Sequence, residues 1–321
     1  MTEKELERQA AQAAGRKKLQ DLLAVFLFLL LLPYTCSALA RAGRDSAVET
    51  LSLPGDGRVI AWEQENGVKR IPEEEFLVGA LAASIPAQYR PETKKAQAVI
   101  LRSMAFCREK EALSARESGL EYMDPSQRRL LWGEDFEENE KAFGEAVRET
   151  KGQVLTYAQE VVSPPFFRLS AGKTRSGAEI FGQERIVWCH SIECPGDENA
   201  PDFLQESEWD RDSFARVLAS EGMILPGENA YILLTRDSAG YVLEVSCGES
   251  RMEGERFRQL FDLASSCFSL REEGGKIILQ TKGIGHGLGF DQYSADLLAE
   301  QGKGYVELLK WFFAGAEVEE R

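Results

Sequence analysis

The feature that most limits how this chain can fold is an apolar segment near its N-terminus. Residues 22–40 read LLAVFLFLLLLPYTCSALA, and a basic cluster of Arg16, Lys17 and Lys18 stands just before them. Positive charge on one flank of a membrane segment keeps that flank in the cytoplasm. We therefore expect a cytoplasmic tail at 1–20, a membrane segment at 21–40 and export of the chain beyond about residue 45.

The membrane segment has two possible fates. With the small residues after Pro33 included, it is long enough for a single-pass signal anchor. Its dense apolar part, 22–32, has the length of a signal-peptide core, and Ala38-Leu39-Ala40 resembles a cleavage site. Because the charged tail is long for a signal peptide, we favour the anchor. The chain is then a cell-membrane protein whose C-terminal domain lies outside the cytoplasm.

Length and charge restrict what the exported part can be. A chain of 321 residues is long enough to bury a substantial core, and its net charge of −15 argues against a nucleic-acid partner. After a linker at 41–57, no Pro- or Gly-rich gap interrupts 58–316, so we expect one domain there and a short tail at 317–321. Helices and strands alternate without a regular βαβ order, which favours the α+β class.

Hydrophobic periodicity places the secondary structure within this domain. We predict strands at 58–62 and 276–282, a hairpin at 152–162 and a pair of strands within 231–247. We predict helices at 73–85, 91–113, 138–150, 256–263 and 291–314, and mostly loop at 163–200.

The cysteines do not indicate a disulfide scaffold. Besides Cys36 there are five, an odd and sparse set for an exported domain: Cys107, Cys189, Cys194, Cys247 and Cys267. Cys189, His190 and Cys194 are weak candidates for a metal site, because no second ligand pair with zinc spacing accompanies them. We expect thiols in a loop there, with no metal and no cofactor.

Two glycine-containing loops carry the strongest local signals. In GIGHGLGFDQY (283–293), alternate glycines leave the backbone bare around His286, so that a ligand or another backbone can approach closely. A tightly packed turn with a buried, hydrogen-bonded histidine is the alternative. In FFRLSAGKTRSG (166–177), Phe167 stands where a phosphate-binding loop needs glycine, which excludes that motif. The second loop offers donors suited to a sugar, or is simply solvated.

Ser84 is the one hydrogen-bonding side chain on an apolar helical stripe in EFLVGALAASIP (75–86). A serine midway along a helix lacks the strained exposure of a hydrolase nucleophile, and the chain contains no G-x-S-x-G elbow. A catalytic Ser84–His286 pair is therefore not indicated.

Together these stretches resemble the SpoIID/LytB family of exported proteins from spore-forming and related bacteria. The family's first block, E-Y-(L/V)-x-G-V-V-x-x-E-M-P followed by E-A-L-K-A-Q-A-V-A-A-R-T, is matched without a gap by EFLVGALAASIPAQYRPETKKAQAVILRS (75–103). DPSQRRLLWG (124–133), the SAGKT loop and RFRQLFDLASSCF (256–268) resemble later features. The closing block resembles KGIGHGLGFDQYSADLLAEQGKGYVELLKWFFAG (282–315). The ordered combination over about 60–316 is specific, although no single block is.

The resemblance implies a cell-wall protein of sporulation and engulfment. The family includes lytic transglycosylases, whose chemistry depends on the glutamate of E-M-P. That carboxylic acid protonates the glycosidic oxygen and then accepts the proton of the sugar's own 6-hydroxyl. Here Ser84 occupies that position, and a serine hydroxyl is far too weak an acid for the step. The resemblance also implies saccharide contacts at Ser170, Lys173, Thr174, His286, Gln292 and Tyr293. We assign Arg102, on the predicted helix at 91–113, to fold support rather than chemistry.

Two hypotheses follow, and they leave open whether the chain is an enzyme. In the first, which we favour, it is a pseudoenzyme or a weakly active protein that binds peptidoglycan glycan strands or partner wall hydrolases such as an amidase. In the second, it is an active lytic transglycosylase with a relocated acid. Asp291, which replaces the small serine of the family's S-Q-Y, is the candidate. Glu75 and Glu92 match acidic positions that the family carries in addition to its acid, so they are poor substitutes.

Overall fold

The computed structural model describes residues 58–64, 67–107, 119–182, 186–225 and 231–321. The secondary structure is mixed, with helices and strands interspersed, as the α+β prediction requires. The expected tail, membrane segment and linker at 1–57 lie outside the described residues. Within the described ranges, no helix combines the length and apolar character needed to span a bilayer.

The helices and strands follow one another in short units. The first half contains β1 (Val59–Gln64), β2 (Gly67–Pro72), α1 (Glu73–Ser84), α2 (Pro91–Phe106), α3 (Pro125–Trp132), α4 (Phe136–Glu149), β3 (Gln153–Tyr157), β4 (Glu160–Val161), β5 (Phe166–Phe167) and α5 (Gly177–Phe181). The second half contains β6 (Leu204–Asp210), α6 (Arg211–Ser220), β7 (Leu233–Arg236), β8 (Val242–Cys247), β9 (Ser250–Glu253), α7 (Gly254–Leu260), β10 (Phe268–Glu273), β11 (Lys276–Lys282), β12 (Phe290–Asp291), α8 (Gln292–Glu300), α9 (Tyr305–Phe312) and β13 (Glu317–Glu320). Short 3₁₀ turns lie at Gly133–Asp135 and Pro195–Asn199.

The strands form small sheets rather than one large one. β1 pairs with β2, β7–β8–β9 and β10–β11–β6 are three-stranded, and β13–β3–β4 closes around the C-terminus. These pairs are antiparallel, whereas β5 and β12 form a short parallel pair. The predicted hairpin at 152–162 and the predicted strand pair within 231–247 are both confirmed.

Three boundaries differ from the sequence prediction. The helix predicted at 291–314 is two helices, because Gly302 adopts a positive φ of 90° and ends α8 before Gly304 begins α9. The helix predicted at 91–113 ends at Phe106, and residues 108–118 lie outside the described part. The predicted tail at 317–321 is wrong in that Glu317–Glu320 pairs with β3. Its polar sequence shows no alternation of apolar and polar residues, so the strand is recognisable only from its pairing with the distant β3.

Two large hydrophobic cores and one small cluster lie within the part described. The first is shared by α1, α2, α4, β3 and α9 and includes Phe76, Val99, Phe143, Leu155 and Phe312, all at most 1 % exposed. The second is built by α6, β8, α7, β10 and β11, with Phe214, Phe257, Phe268 and Leu279 at most 1 % exposed. Full burial of one such side chain stabilises the fold by about 1.5–3 kcal/mol. All described residues nevertheless belong to one compact unit.

Helix α1 is buried on nearly all sides. The predicted stripe is buried, and so are Val78, Gly79 and Ala82 on other faces. A Cβ on Gly79 would lie 2.3 Å from the Tyr122 ring, so the glycine lets that ring pack against the helix. A helix that is apolar all round belongs inside a fold, and α1 is a central helix of the first core.

Arg102 supports the fold, as expected. Its guanidinium is 1 % exposed and donates hydrogen bonds to the carbonyls of Thr150 (2.6 Å) and Val147 (3.1 Å) and to the Glu74 carboxylate (3.4 Å). It thereby joins α2 to the end of α4 and to the start of α1.

Candidate functional site

Ser84 is the last residue of α1, not a mid-helix residue as the sequence suggested. Pro86 explains the position, because the residue before a proline is pushed towards extended backbone, and Ile85 has φ −137° and ψ 143°. The half-buried Ser84 hydroxyl donates to the Leu81 carbonyl at 3.2 Å. The Ser84 carbonyl accepts a hydrogen bond from Gln292 at 2.8 Å.

Gln292 is a structural link rather than a saccharide contact. Its side chain is 2 % exposed, and its amide donates to the Ser84 carbonyl and to Gln97 Oε1 at 3.3 Å. Gln97 lies on α2 and is completely buried. The amide of Gln292 therefore fixes the start of α8 against α1 and α2, and the predicted contact with a sugar at this residue is not supported.

Asp291 is completely buried. It caps α8, where its Oδ1 accepts the N–H groups of Tyr293 and Ser294, each at 3.2 Å, and its Oδ2 accepts the Ser170 N–H at 3.0 Å. The residue has no exposed surface, and burial, reinforced by the Asp197 carboxylate, raises its pKa well above the ordinary value of 3.8. A relocated acid must reach the bond being broken. The structure therefore corrects the suggestion that Asp291 takes over that role.

Asp197, which the sequence analysis did not single out, completes the buried cluster. Its carboxylate accepts hydrogen bonds from the hydroxyls of Ser170 and Ser294, each at 2.6 Å, and from the Ser170 N–H at 2.9 Å. In the sequence it is one polar residue of a loop, and nothing local marks its partners. The predicted saccharide contact at Ser170 is not supported, because its side chain is buried and occupied by Asp197.

The same loop contains one accessible and one inaccessible candidate. Thr174 is completely buried, and its hydroxyl donates to the His190 carbonyl at 3.2 Å and accepts the Ile192 N–H at 2.9 Å. Lys173 is one-third exposed and forms an ion pair of 3.0 Å with Glu193. Lys173 remains available to a ligand, whereas the prediction for Thr174 is not supported.

The alternating glycines are used by neighbouring protein rather than left open. Gly283, Gly285, Gly287 and Gly289 all have positive φ, which side chains rarely adopt. A Cβ on Gly289 would lie 2.2 Å from the Pro165 carbonyl oxygen, and one on Gly287 would lie 2.2 Å from the Tyr241 ring. The bare backbone could have let either a ligand or another part of the chain approach closely. The structure shows the second, because Pro165 and Tyr241 occupy the space beside these glycines.

His286 is held as a neutral, hydrogen-bonded side chain. Its Nδ1 accepts the Leu288 N–H at 3.1 Å, the ring also hydrogen-bonds the Phe166 backbone, and the Phe167 ring lies 5.7 Å away between centroids. Burial lowers the pKa of His286 to about 4. The ring is therefore uncharged near neutral pH, and the residue keeps part of its surface exposed.

A buried ion pair connects the loop at 166–177 to the turn between β7 and β8, and sequence reasoning missed it. Arg175 donates to Asp237 at 2.5 Å and to the His286 carbonyl at 3.3 Å, and its guanidinium lies 5.2 Å from the Tyr241 ring centroid. The Tyr241 hydroxyl accepts the Ala171 N–H at 3.0 Å. Asp237 and Tyr241 flank the turn between β7 and β8, so this turn braces both glycine-containing loops.

Tyr293 is the third partly accessible candidate. Its N–H donates to the Arg168 carbonyl at 3.1 Å, and its ring borders a small cluster of Leu169, Ala200 and Phe203. Lys173, His286 and Tyr293 are thus the predicted saccharide contacts that retain exposed surface.

The weak metal candidates are not assembled into a site. Cys189 and Cys194 are buried free thiols, whereas His190 is exposed. Burial raises the pKa of Cys194 to about 12 and raises that of Cys189 still further, so both thiols keep their protons. In the part of the chain that the structure describes, Cys194 has the carboxylates of Asp197 and Asp291 beside it rather than the other two candidates.

Comparison with known proteins gives a consistent result. The family model described as "SpoIID: Stage II sporulation protein" matches residues 62–157, a stretch that includes α1, α2 and Ser84. The chain is 30 % identical over 266 residues to stage II sporulation protein D of Bacillus amyloliquefaciens, covering 79 % of this chain and 76 % of that protein. It is 28 % identical over 295 residues to stage II sporulation protein D of Bacillus subtilis, covering 88 % and 85 %.

The chain is also similar, at lower identity, to an amidase enhancer. The chain is 20 % identical over 294 residues to the amidase enhancer of Bacillus subtilis, covering 74 % of this chain and 39 % of that protein. The extent of the match to the stage II sporulation proteins D, together with the family model over α1 and α2, places this chain in the SpoIID/LytB family.

Proposed function

We propose that this chain is a sporulation cell-wall protein that binds peptidoglycan glycan strands and has lost, or keeps only weakly, lytic transglycosylase activity. The names of its relatives support the sporulation role. The observation that carries the loss of activity is that residue 84, where the resemblance places the family's acid, is a serine.

The surroundings of residue 84 suit a carboxylic acid better than a hydroxyl. The residue stands at the C-terminal end of α1, where the helix dipole disfavours negative charge, and its neighbours Leu81 and Ile85 are buried. Both effects would raise the pKa of a carboxyl group there and keep it protonated near neutral pH, as a general acid requires. Ser84 instead donates to the Leu81 carbonyl. Loss of such proton transfer costs on the order of 10²–10⁴ in rate.

The neighbouring carboxylates are committed elsewhere, which argues against the active alternative. Asp291 is completely buried. Asp296 accepts hydrogen bonds from Arg90 and Thr93, and Glu92 pairs with Lys95 at 2.7 Å. Glu75 lies nine residues earlier on the same helix, which is roughly 13 Å along its axis.

Glycan binding is proposed at Lys173, His286 and Tyr293, the candidates that retain exposed surface. The ring of Tyr293 is suited to stack on a sugar face, the ammonium of Lys173 to donate to sugar hydroxyls, and His286 to pack against the sugar as a neutral ring. The predicted membrane segment would hold this surface outside the cytoplasm. The name of the amidase enhancer suggests an amidase as a further partner.

Co-sedimentation of the detergent-solubilised full chain with purified insoluble peptidoglycan tests the binding proposal. We expect the chain to sediment with peptidoglycan, and Tyr293→Ala and Lys173→Ala each to weaken binding about fivefold, the equivalent of one net hydrogen bond. Lys276→Ala on β11 is the matched control, because its ammonium forms an exposed pair with Glu208 in the second half of the chain. A chain that stays in the supernatant, or site variants that bind like the parent, would overturn the proposal.

A further inference from the structure

The carboxylates of Asp197 and Asp291 are both buried and lie close together. Asp197 and Asp291 both have no exposed surface, and the Ser170 N–H donates to Oδ2 of each, at 2.9 Å and 3.0 Å. One carboxylate oxygen of Asp197 lies within 4.8 Å of one carboxylate oxygen of Asp291. Two ionised carboxylates cannot share such a space at low dielectric without a compensating positive charge or a proton.

No positive side chain supplies that compensation among the residues described. The hydrogen bonds to the two carboxylates come from the neutral groups of Ser170, Tyr293 and Ser294. Three positive groups of the neighbouring segments have other partners, since Arg175 binds Asp237, Arg90 binds Asp296 and Lys173 binds Glu193. Arg168, two residues before Ser170, is exposed, so solvent screens its charge and it does not serve as a buried counter-charge.

The other titratable groups that face the pair are neutral. From the turn before the 3₁₀ segment comes Cys194, and from the loop before α2 comes Tyr89; burial raises the pKa of each to about 12. From the start of β8 comes Tyr241, whose pKa burial also raises. The pair therefore has to be neutralised from within.

We propose that Asp197 and Asp291 share a single proton at neutral pH and act as a clamp that holds the Ser170 loop against α8. The raised pKa of Asp291, caused by burial and by the adjacent Asp197 carboxylate, agrees with a proton held between the two carboxyl groups. Lys173 lies three residues after Ser170, and Tyr293 lies two residues after Asp291. The shared proton thus positions two of the accessible candidate residues, independently of whether they bind a glycan.

This arrangement makes the stability of the clamp fall as the pH rises above the ordinary pKa of an aspartate. Because the pKa of Asp291 is higher in the folded chain than its ordinary 3.8, its stabilising effect is complete at low pH and is lost as the pH rises towards the folded-state value. Within that window the unfolding equilibrium constant should rise about tenfold per pH unit from this proton alone. His286 acts in the opposite direction between about pH 4 and 6.5, so the comparison has to be made between variants.

Asp291→Asn in the full chain tests the proposal. The asparagine has the shape of the protonated acid and keeps an N–H that can face Asp197. We expect infrared spectra at pH 7 to show the carbonyl stretch of a protonated carboxylic acid in the parent and to lack that band in the variant. In urea unfolding between pH 5 and 9, the parent should destabilise with rising pH relative to Asp291→Asn.

Asp210→Asn is the matched control, since Asp210 caps α6 as Asp291 caps α8. Asp210 is exposed, and the hydrogen bond with Ser213 holds its pKa below the ordinary value. This variant should keep the acid band of the parent. If Asp291→Asn fails to fold, Asp197→Asn should remove the same band. Absence of the band in the parent at pH 7, or one bound metal ion per chain by elemental analysis, would overturn the proposal.

Discussion

Replacing Gly287 with alanine tests whether the alternating glycines serve internal packing. The added Cβ would lie 2.2 Å from Tyr241 Cζ, a distance that real Cβ atoms do not reach. Tyr241 has no exposed surface, and its hydroxyl is held by the Ala171 N–H, so the ring has no free direction in which to move. Gly287 also has a φ of 76°, in the left-handed region.

The expected loss has two parts. The left-handed backbone costs an alanine about 1–2 kcal/mol, and overpacking against a fixed ring adds about 1–3 kcal/mol. Gly287→Ala should therefore lower the free energy of unfolding by about 2–5 kcal/mol. Gly302→Ala is the matched control, because Gly302 has a φ of 90° but nothing within 4 Å of an added Cβ. In Gly302→Ala the free energy of unfolding should fall only by the cost of the left-handed backbone. The effect of alanine on the unfolded chain is the same in both variants and cancels in the comparison.

Urea unfolding of the parent, Gly287→Ala and Gly302→Ala provides the measurement. Adding Tyr241→Ala completes a double-mutant cycle, in which removal of the ring should relieve the clash and make the two losses less than additive. Equal losses of unfolding free energy in Gly287→Ala and Gly302→Ala, or strict additivity with Tyr241→Ala, would refute the packing argument. The glycines would then be better explained by the close approach of a ligand.

Three further predictions follow from buried polar groups. Asp237→Ala should destabilise by about 3–5 kcal/mol in urea unfolding, because Arg175 is left as an uncompensated buried charge. Lowering the pH from 6.5 to about 4 should destabilise the parent by up to about 3 kcal/mol more than His286→Gln, since the depressed pKa of His286 makes the unfolded chain take up the proton first. Ser103→Ala should cost about 1–3 kcal/mol, because the Leu155 N–H loses its 2.8 Å acceptor.

These predictions have internal controls. Glu208→Ala breaks an exposed ion pair with Lys276, and Ser220→Ala removes an exposed hydroxyl, so neither should shift the unfolding midpoint measurably. If Asp237→Ala is as mild as Glu208→Ala, the bracing role of the turn between β7 and β8 is wrong. An unchanged pH profile in His286→Gln would contradict the assigned neutral histidine.

Local sequence signals predicted much of the secondary structure. Pro91 begins α2 where a proline is tolerated, and alternating apolar residues mark β7 and β8. The burial of the apolar stripe on α1 was likewise visible from its spacing. The end of α1 at Ser84 also had a local signal in Pro86, which the prediction of a helix at 73–85 left unused.

The remaining features depend on contacts between distant parts of the chain. Asp197 and Asp237 are ordinary loop or turn residues in the sequence, and their partners Ser294 and Arg175 lie 97 and 62 residues away. The burial of Ser170 and Gln292 could not be read from their polar types. Family resemblance marked Ser170 and Gln292 as important, but only the packing shows that their side chains are buried and hydrogen-bonded within the fold.

The central claim is that this chain lacks the proton donor of its family. The most direct test is to measure 1,6-anhydro ends released from purified peptidoglycan by the full chain and by Ser84→Glu. The account predicts little or no product from the parent and at least about 10²-fold more from Ser84→Glu, since a carboxylic acid at the end of α1 restores proton transfer. A parent that releases anhydro ends as fast as Ser84→Glu, and loses them in Asp291→Asn, would contradict it.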